Sequence, residues 1–121
     1  MTKTVLTIDD SRTMRDMLLM ALEDAGYTVI QAVDGVDGLE TLDAKGADVI
    51  ITDINMPRMD GFELIEAVRA VPEFRGTPIL VLSTEFSDDK KTRAREAGAS
   101  GWITKPFEAT KLGAAIRRVC P

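Results

Sequence analysis

Acidic and basic side chains follow the short apolar runs of this sequence, at the points where strands would end. Asp9 and Asp10 come after the first run, Asp53 after the third and Lys105 after the fifth. The fourth run is followed by two hydroxyls and a further acid, namely Ser83, Thr84 and Glu85. Magnesium prefers oxygen ligands completed by water, and a magnesium ion, a lysine and a hydroxyl around an aspartate form a phosphoryl-transfer site. In such a site Asp53 can be the nucleophile, while the metal and Lys105 neutralise charge on the transferring group.

These side chains need a scaffold that brings distant parts of the chain together. Short apolar runs, most of them continuous rather than alternating, occur at residues 5–8, 28–30, 49–51, 79–82 and 101–103. Continuous runs are typical of strands buried on both faces of a parallel sheet. Helical patterns lie between them, and glycines stand where helices would stop, at Gly26, Gly46 and Gly98. Five strand–helix units of about 24 residues predict one α/β doubly wound domain over residues 1–121.

The ends of the strands decide where a ligand binds, because open parallel sheets bind ligands at the carboxyl edge of the sheet. Three carboxylates at that edge are costly unless a cation neutralises them, which favours magnesium. Calcium is less favoured because the calcium-binding loop with its closing glutamate is absent from the sequence. Each residue alone has a simpler explanation, as a helix cap, a turn residue or a solvated lysine. Their joint placement on one edge favours the phosphoryl site.

Two other segments carry structural predictions. Val33-Asp34-Gly35, after the second run, is typical of a plain turn. The charged stretch 88–97 follows Ser87, a suitable N-cap, and offers only alanines to a core. We therefore expect a weakly anchored helix there that shifts easily.

Composition excludes several classes of function. The 121 residues include 15 Lys and Arg, 20 Asp and Glu and no histidine, for a net charge of −5. Histidine catalysis, histidine-ligated metals and a histidine phosphorelay step within this chain are therefore excluded, and the acidic balance argues against nucleic acid as a partner. The single cysteine suits a reducing compartment, and no run approaches the roughly 20 apolar residues of a membrane span. We expect a cytoplasmic protein without a membrane partner.

Seven motifs along the chain occur together. They are Ile8-Asp9-Asp10-Ser11, Thr13-Met14-Arg15, Asp34-Gly35, Thr52-Asp53-Ile54-Asn55-Met56-Pro57, Met59-Asp60-Gly61, Gly98-Ala99-Ser100-Gly101 and Lys105-Pro106-Phe107. This combination resembles the receiver domain of two-component response regulators, and the single-domain chemotaxis regulators of the CheY type look closest. The resemblance covers essentially the whole chain and implies a flavodoxin-like (βα)5 fold with a five-stranded parallel sheet in the order 2-1-3-4-5.

The resemblance also implies roles for the site residues. Asp53 would accept a phosphoryl group from a histidine on a partner kinase, and Lys105 would contact that group. Magnesium would be held by Asp10, Asp53 and the backbone carbonyl of Asn55, with Asp9 acting mainly through water. The Lys105–Pro106 bond is expected to be cis.

Switching and tuning residues are implied in the same way. Ser83 matches the family's switch hydroxyl, and Thr84 follows it where the family usually has a small residue. Asn55 and Glu85 occupy positions that tune the lifetime of the phosphoryl aspartate. Trp102 replaces the smaller aromatic residue at the second switch position, which puts the usual two-step aromatic switch in doubt. The surface formed by the charged helix, Trp102 and the final helix is the expected docking face.

The expected activity is that of a phospho-accepting switch, which catalyses only its own phosphorylation and dephosphorylation. With no output domain, it would act on a downstream target such as a flagellar motor switch protein, and a phosphatase is a further possible partner. A phosphorelay shuttle or a phosphate sink would need the same site.

Three other classes of protein compete with this interpretation. An aspartyl-nucleophile phosphatase of the haloacid dehalogenase type places its nucleophile after the first strand with another acid two residues later, whereas here residue 11 is serine. A flavin carrier needs a phosphate-binding loop after the first strand, where Asp9 and Asp10 would repel phosphate. A degenerate receiver is disfavoured because the acids, Ser83 and Lys105 are all present.

Overall fold

Within residues 2–121, which the computed structural model describes, strands and helices alternate along the chain. The strands are β1 (Thr4–Ile8), β2 (Thr28–Ala32), β3 (Val49–Thr52), β4 (Ile79–Ser83) and β5 (Gly101–Thr104). The helices are α1 (Arg12–Asp24), α2 (Gly35–Lys45), α3 (Gly61–Ala70), α4 (Asp88–Ala97) and α5 (Ala109–Val119), and a short 3-10 turn covers Pro72–Phe74. In this part of the chain, no helix combines the length and the apolar character that crossing a membrane requires.

All strands pair in parallel, in the order β2-β1-β3-β4-β5. The flavodoxin-like doubly wound fold is thereby confirmed. The two faces of the sheet carry separate apolar clusters because neighbouring strand residues point to opposite sides. Leu6 packs with residues of α2, α3 and α4, whereas Val5 packs with residues of α1 and α5. The strand order reverses between β1 and β3, so a crevice forms at their carboxyl ends.

Side-chain caps fix where the helices begin, and with them the loops that leave the strands. Ser11 caps α1, Ser87 caps α4, and Asp60 and Glu63 form a capping box on α3. Ser87 was predicted as a cap, and this is confirmed.

The segment Val33-Asp34-Gly35 was predicted as a plain turn, and this was wrong. Asp34 is only 4% exposed, caps α2 by accepting from the amide of Asp37, and is paired with Arg58. The physical reason is a partner 24 residues away, which a local turn pattern does not contain.

Helix α4 is weakly anchored, as its composition predicted. It buries Ala94, while its other side chains are half-buried or exposed. The guanidinium of Arg93 lies 4.0 Å from the centre of the Phe62 ring and adds a cation–π contact to α3.

Candidate functional site

Three carboxylates meet at the carboxyl edge of the sheet. Asp9, Asp10 and Asp53 each offer an oxygen, and these oxygens lie within 4.8 Å of one another. The strand ladder fixes two of them, because the amide of Asp53 donates to Ile8 at 3.0 Å and that of Asp9 donates to Ala32 at 3.2 Å. Asp9 is buried at 2% exposure, whereas Asp10 is exposed. The predicted convergence of the three acids is therefore present.

Lys105 joins two of these carboxylates directly. Its Nζ donates to Asp53 Oδ2 at 2.8 Å and to Asp9 Oδ2 at 2.9 Å. The bond to Pro106 is cis, as expected, and the Lys105 amide donates to the carbonyl of Ser83 at 2.8 Å. Burial lowers the pKa of Lys105, but hydrogen bonds and charge from Asp53 and Asp9 outweigh burial, so the net shift of this pKa is upward. The lysine therefore stays charged at neutral pH.

The donor set fits magnesium. Three carboxylates and one paired ammonium leave two negative charges in excess, which a divalent cation would balance. All the converging donors are oxygens, which magnesium prefers. Asp53 Oδ1 accepts from the amide of Ile54 at 2.7 Å, so this carboxylate is held in one orientation. Asp9 is paired with Lys105, which is compatible with its implied action on a metal through water.

The two adjacent hydroxyls have different surroundings. Ser83, the last residue of β4, is fully buried, and its Oγ accepts from the amide of Glu85 at 3.2 Å. Thr84 is exposed. Of the two hydroxyls, only that of Ser83 is therefore buried, and Ser83 lies beside the backbone of Lys105.

Glu85 connects the loop after β3, helix α4 and strand β5. Its carboxylate accepts from Asn55 Nδ2 at 3.2 Å and from Lys90 Nζ at 2.9 Å. The hydrogen bond from Lys90 is the main cause of a lowered pKa of Glu85, and the hydrogen bond from Asn55 lowers this pKa further. The backbone carbonyl of Glu85 accepts from Nε1 of Trp102 at 3.1 Å. The expected tuning residues Asn55 and Glu85 and the expected second switch residue Trp102 therefore form one network with α4.

Two basic residues were missed. Arg58 binds Asp34 through Nε at 2.7 Å and Nη2 at 3.1 Å, and this hydrogen bonding is the main cause of a lowered pKa of Asp34. Arg15 donates to the backbone carbonyl of Asp9 at 2.8 Å. Both lie in or next to motifs noted above, but nothing in the sequence indicates their partners.

Most of the chain matches one protein family. The profile described as "Response regulator receiver domain" matches residues 5–117. The chain belongs to the response regulator receiver family. Receivers are modules of two-component signalling, which is the family context of the acidic cluster described above.

Individual relatives of this receiver include chemotaxis proteins. "Chemotaxis protein CheY" of Pseudomonas aeruginosa is 36% identical over 95% of this chain and 94% of its own length. "Sensor histidine kinase CheAY" of Helicobacter pylori is 34% identical over 94% of this chain. The matched region is 14% of the length of that kinase. The structure of Vibrio cholerae chemotaxis protein CheY4 superimposes with a TM-score of 0.94 at 44% identity, covering 98% of this chain and 99% of that one.

Proposed function

We propose that this receiver accepts a phosphoryl group on Asp53 from a phosphohistidine of a partner kinase, with magnesium, and thereby changes its affinity for a downstream partner. The observation that supports this most is the contact of Lys105 Nζ with Asp53 at 2.8 Å, beside two further carboxylates. A switch of this kind has no outside substrate to turn over. It catalyses its own phosphorylation and dephosphorylation only.

The transfer is a displacement at phosphorus. A carboxylate oxygen of Asp53 attacks, the bond between phosphorus and the donor imidazole nitrogen breaks, and the imidazole leaves with that electron pair. Magnesium held by Asp10, Asp53 and the carbonyl of Asn55 would neutralise charge on the phosphoryl oxygens. Lys105 stands beside the attacked position and binds a phosphoryl oxygen as its contact with the unmodified carboxylate is lost.

The switch begins at Ser83. Its Oγ accepts from the Glu85 amide in the unmodified protein, and it can turn to donate to a phosphoryl oxygen instead. Breaking this contact frees the backbone of Glu85, whose carbonyl holds Trp102 and whose carboxylate holds Lys90 of α4. Phosphorylation therefore biases the position of a helix that is weakly anchored.

The proposed docking face consists of α4, β5 and α5. A groove of about 590 Å³ between β5 and α5 is lined mainly by apolar residues, among them Trp102 and Phe107. Its charged residues are Arg118 and the pair of Lys111 with Glu108, whose side chains lie 3.2 Å apart. A partner segment with apolar side chains and an acid facing Arg118 would complement it. Trp102 lies at this face and is connected to the loop after β4, so it can report the phosphorylation state to the partner.

The biological setting is proposed from the relatives. A CheY and a sensor histidine kinase CheAY both match nearly all of this chain, which favours a histidine kinase donor and a chemotaxis role. We propose a flagellar motor switch protein as target, a phosphatase as a further partner and the cytoplasm as the compartment. A phosphorelay shuttle or a phosphate sink would use the same chemistry and differ only in the recipient.

Phosphorylation by a small donor tests the function. The protein would be incubated with acetyl phosphate, with and without magnesium, and its intact mass recorded for the wild type and for Asp53→Asn. We expect a phosphoryl adduct on the wild type with magnesium only. A wild type without an adduct, or an equal adduct on Asp53→Asn, would contradict the proposal.

A further inference from the structure

A salt bridge joins the loop after β2 to the loop after β3, outside the acidic cluster. We propose that Asp34 and Arg58 form a tether that positions residues 54–60, the loop carrying Asn55, for binding of the metal. This proposal rests on the proposed function, since it concerns the same magnesium site. Asp34 and Arg58 are positioning residues here and touch neither the metal nor the phosphoryl group.

Asp34 is a fixed anchor. It is 4% exposed, and its Oδ1 accepts from the Asp37 amide at 2.8 Å as the cap of α2. The neighbouring backbone is fixed as well, because Asp37 Oδ2 accepts from the amide of Val33 at 2.9 Å. Because this carboxylate is held in place, both of its oxygens can accept hydrogen bonds from Arg58. Such bidentate pairing suits the planar guanidinium group.

The loop after β3 is held in a conformation that it would not adopt by preference. Arg58 has φ of 66°, in the left-handed region that side chains other than those of glycine, asparagine and aspartate rarely occupy. The loop is closed at its base by the Gly61 amide, which donates to the carbonyl of Ile54 at 2.8 Å. Asn55 lies within this closed loop, so we expect a change in the backbone torsion at Arg58 to be transmitted to the Asn55 carbonyl.

A backbone contact supports the tether beside the ion pair. The Gly35 amide donates to the carbonyl of Met59 at 3.3 Å. A side chain on residue 35 would meet Met59 at 2.7 Å, so the two loops approach as closely as glycine allows. The salt bridge and this contact fix two consecutive residues of the loop against the start of α2.

A purely structural role explains the pair less well. Asparagine caps a helix as well as aspartate does, so a cap alone does not require the charge of Asp34. The Arg58 side chain is 58% exposed whereas that of Asp34 is 6% exposed, so water still solvates the guanidinium and limits what the pair adds to stability. Magnesium, in contrast, needs a near-ideal octahedral arrangement, so an error in the placement of one ligand loop reduces affinity directly.

Two substitutions test the tether without removing other features. Arg58→Asn removes the cation but keeps a residue that tolerates the left-handed region. Asp34→Asn removes the charge but keeps the helix cap. Arg75→Asn removes one exposed arginine before β4, at the opposite edge of the sheet, and is the control that matches Arg58→Asn in net charge. Arg58→Gly relieves the backbone torsion and serves if Arg58→Asn does not fold.

Magnesium binding would be measured by calorimetry on the full chain, and hydrogen exchange of the Gly35 and Gly61 amides would be followed without metal. We expect each substitution to weaken magnesium binding roughly three- to tenfold. Loss of a residue that hydrogen-bonds a metal ligand directly typically costs about tenfold or more, and the tether acts less directly than that. The double variant should lose no more than the stronger single variant, both amides should exchange faster, and Arg75→Asn should match the wild type.

Two outcomes would contradict the proposed positioning role of Asp34 and Arg58. Dissociation constants within twofold of the wild type, even with reduced stability, would mean that the pair is only structural. Additive losses in the double variant would mean that the two residues do not act as a unit. In both cases the proposed function stands. A wild type that binds no magnesium would contradict both proposals.

Discussion

The ammonium of Lys105 lies 2.8 Å from the carboxylate of Asp53, although 52 residues separate them in the chain. The same ammonium contacts Asp9 at 2.9 Å. Lys105 therefore partly neutralises the acidic cluster before any phosphoryl group arrives. This relationship leads to the first prediction, because one cation has both an electrostatic and a proposed catalytic role.

Lys105→Gln should separate these two roles. We expect the initial rate of phosphorylation by acetyl phosphate to fall about 100-fold, as when one donor to developing charge is removed. Magnesium should bind at least as tightly as before, because a neighbouring cation that repels it is gone. Intact mass against time gives the rate, and calorimetry gives the affinity. A normal rate would show that Lys105 does not contact the transferring group.

Magnesium should stabilise the protein by neutralising the excess charge of Asp9, Asp10 and Asp53. At ten times its dissociation constant it should raise the free energy of unfolding by about 1.4 kcal/mol. Urea denaturation with magnesium chloride, against sodium chloride of equal ionic strength, measures this difference. Asp10→Asn should reduce it. Equal stabilisation by both salts would indicate general screening rather than a site.

The Asp34–Arg58 pair should make stability depend on pH in one direction. The pKa of Asp34 is lowered in the folded protein, so its contribution is complete above the unfolded value of about 3.9 and is lost as pH falls through the folded pKa. The stability difference between wild type and Arg58→Asn should therefore be largest near neutral pH and shrink below pH of about 4. Urea unfolding of both proteins across this range measures it. A constant difference would contradict the pairing.

The fluorescence of Trp102, the only tryptophan in the sequence, should report the switch. Its Nε1 donates to the carbonyl of Glu85, and Glu85 is the residue whose amide binds Ser83. Phosphorylation with magnesium should therefore change the emission of the wild type and leave Asp53→Asn unchanged. Ser83→Ala should be phosphorylated with a reduced change. An unchanged wild-type emission would remove Trp102 from the switch.

Prediction from sequence succeeded where the fold alone dictates position. Asp9, Asp10, Asp53 and Lys105 meet because each follows a parallel strand, and the ends of such strands share one edge. The strand order and the cis bond at Pro106 followed from the family resemblance rather than from apolar periodicity.

Prediction failed where side chains meet across loops. Asp34 was predicted as part of a plain turn, because the pattern of a turn does not show a partner such as Arg58. The meeting of Glu85 with Lys90 and Trp102 likewise depends on loop conformation. These contacts depend on backbone torsions and side-chain reach, which residue types and spacing do not specify.

The proposed function requires that Asp53 carries the phosphoryl group. Borohydride reduces an aspartyl phosphate to homoserine, so reduction of the acetyl-phosphate-treated protein followed by peptide mapping reads the modified position directly. We expect homoserine at position 53, formed only with magnesium. Homoserine at position 9 or 10, or at no position, would contradict it.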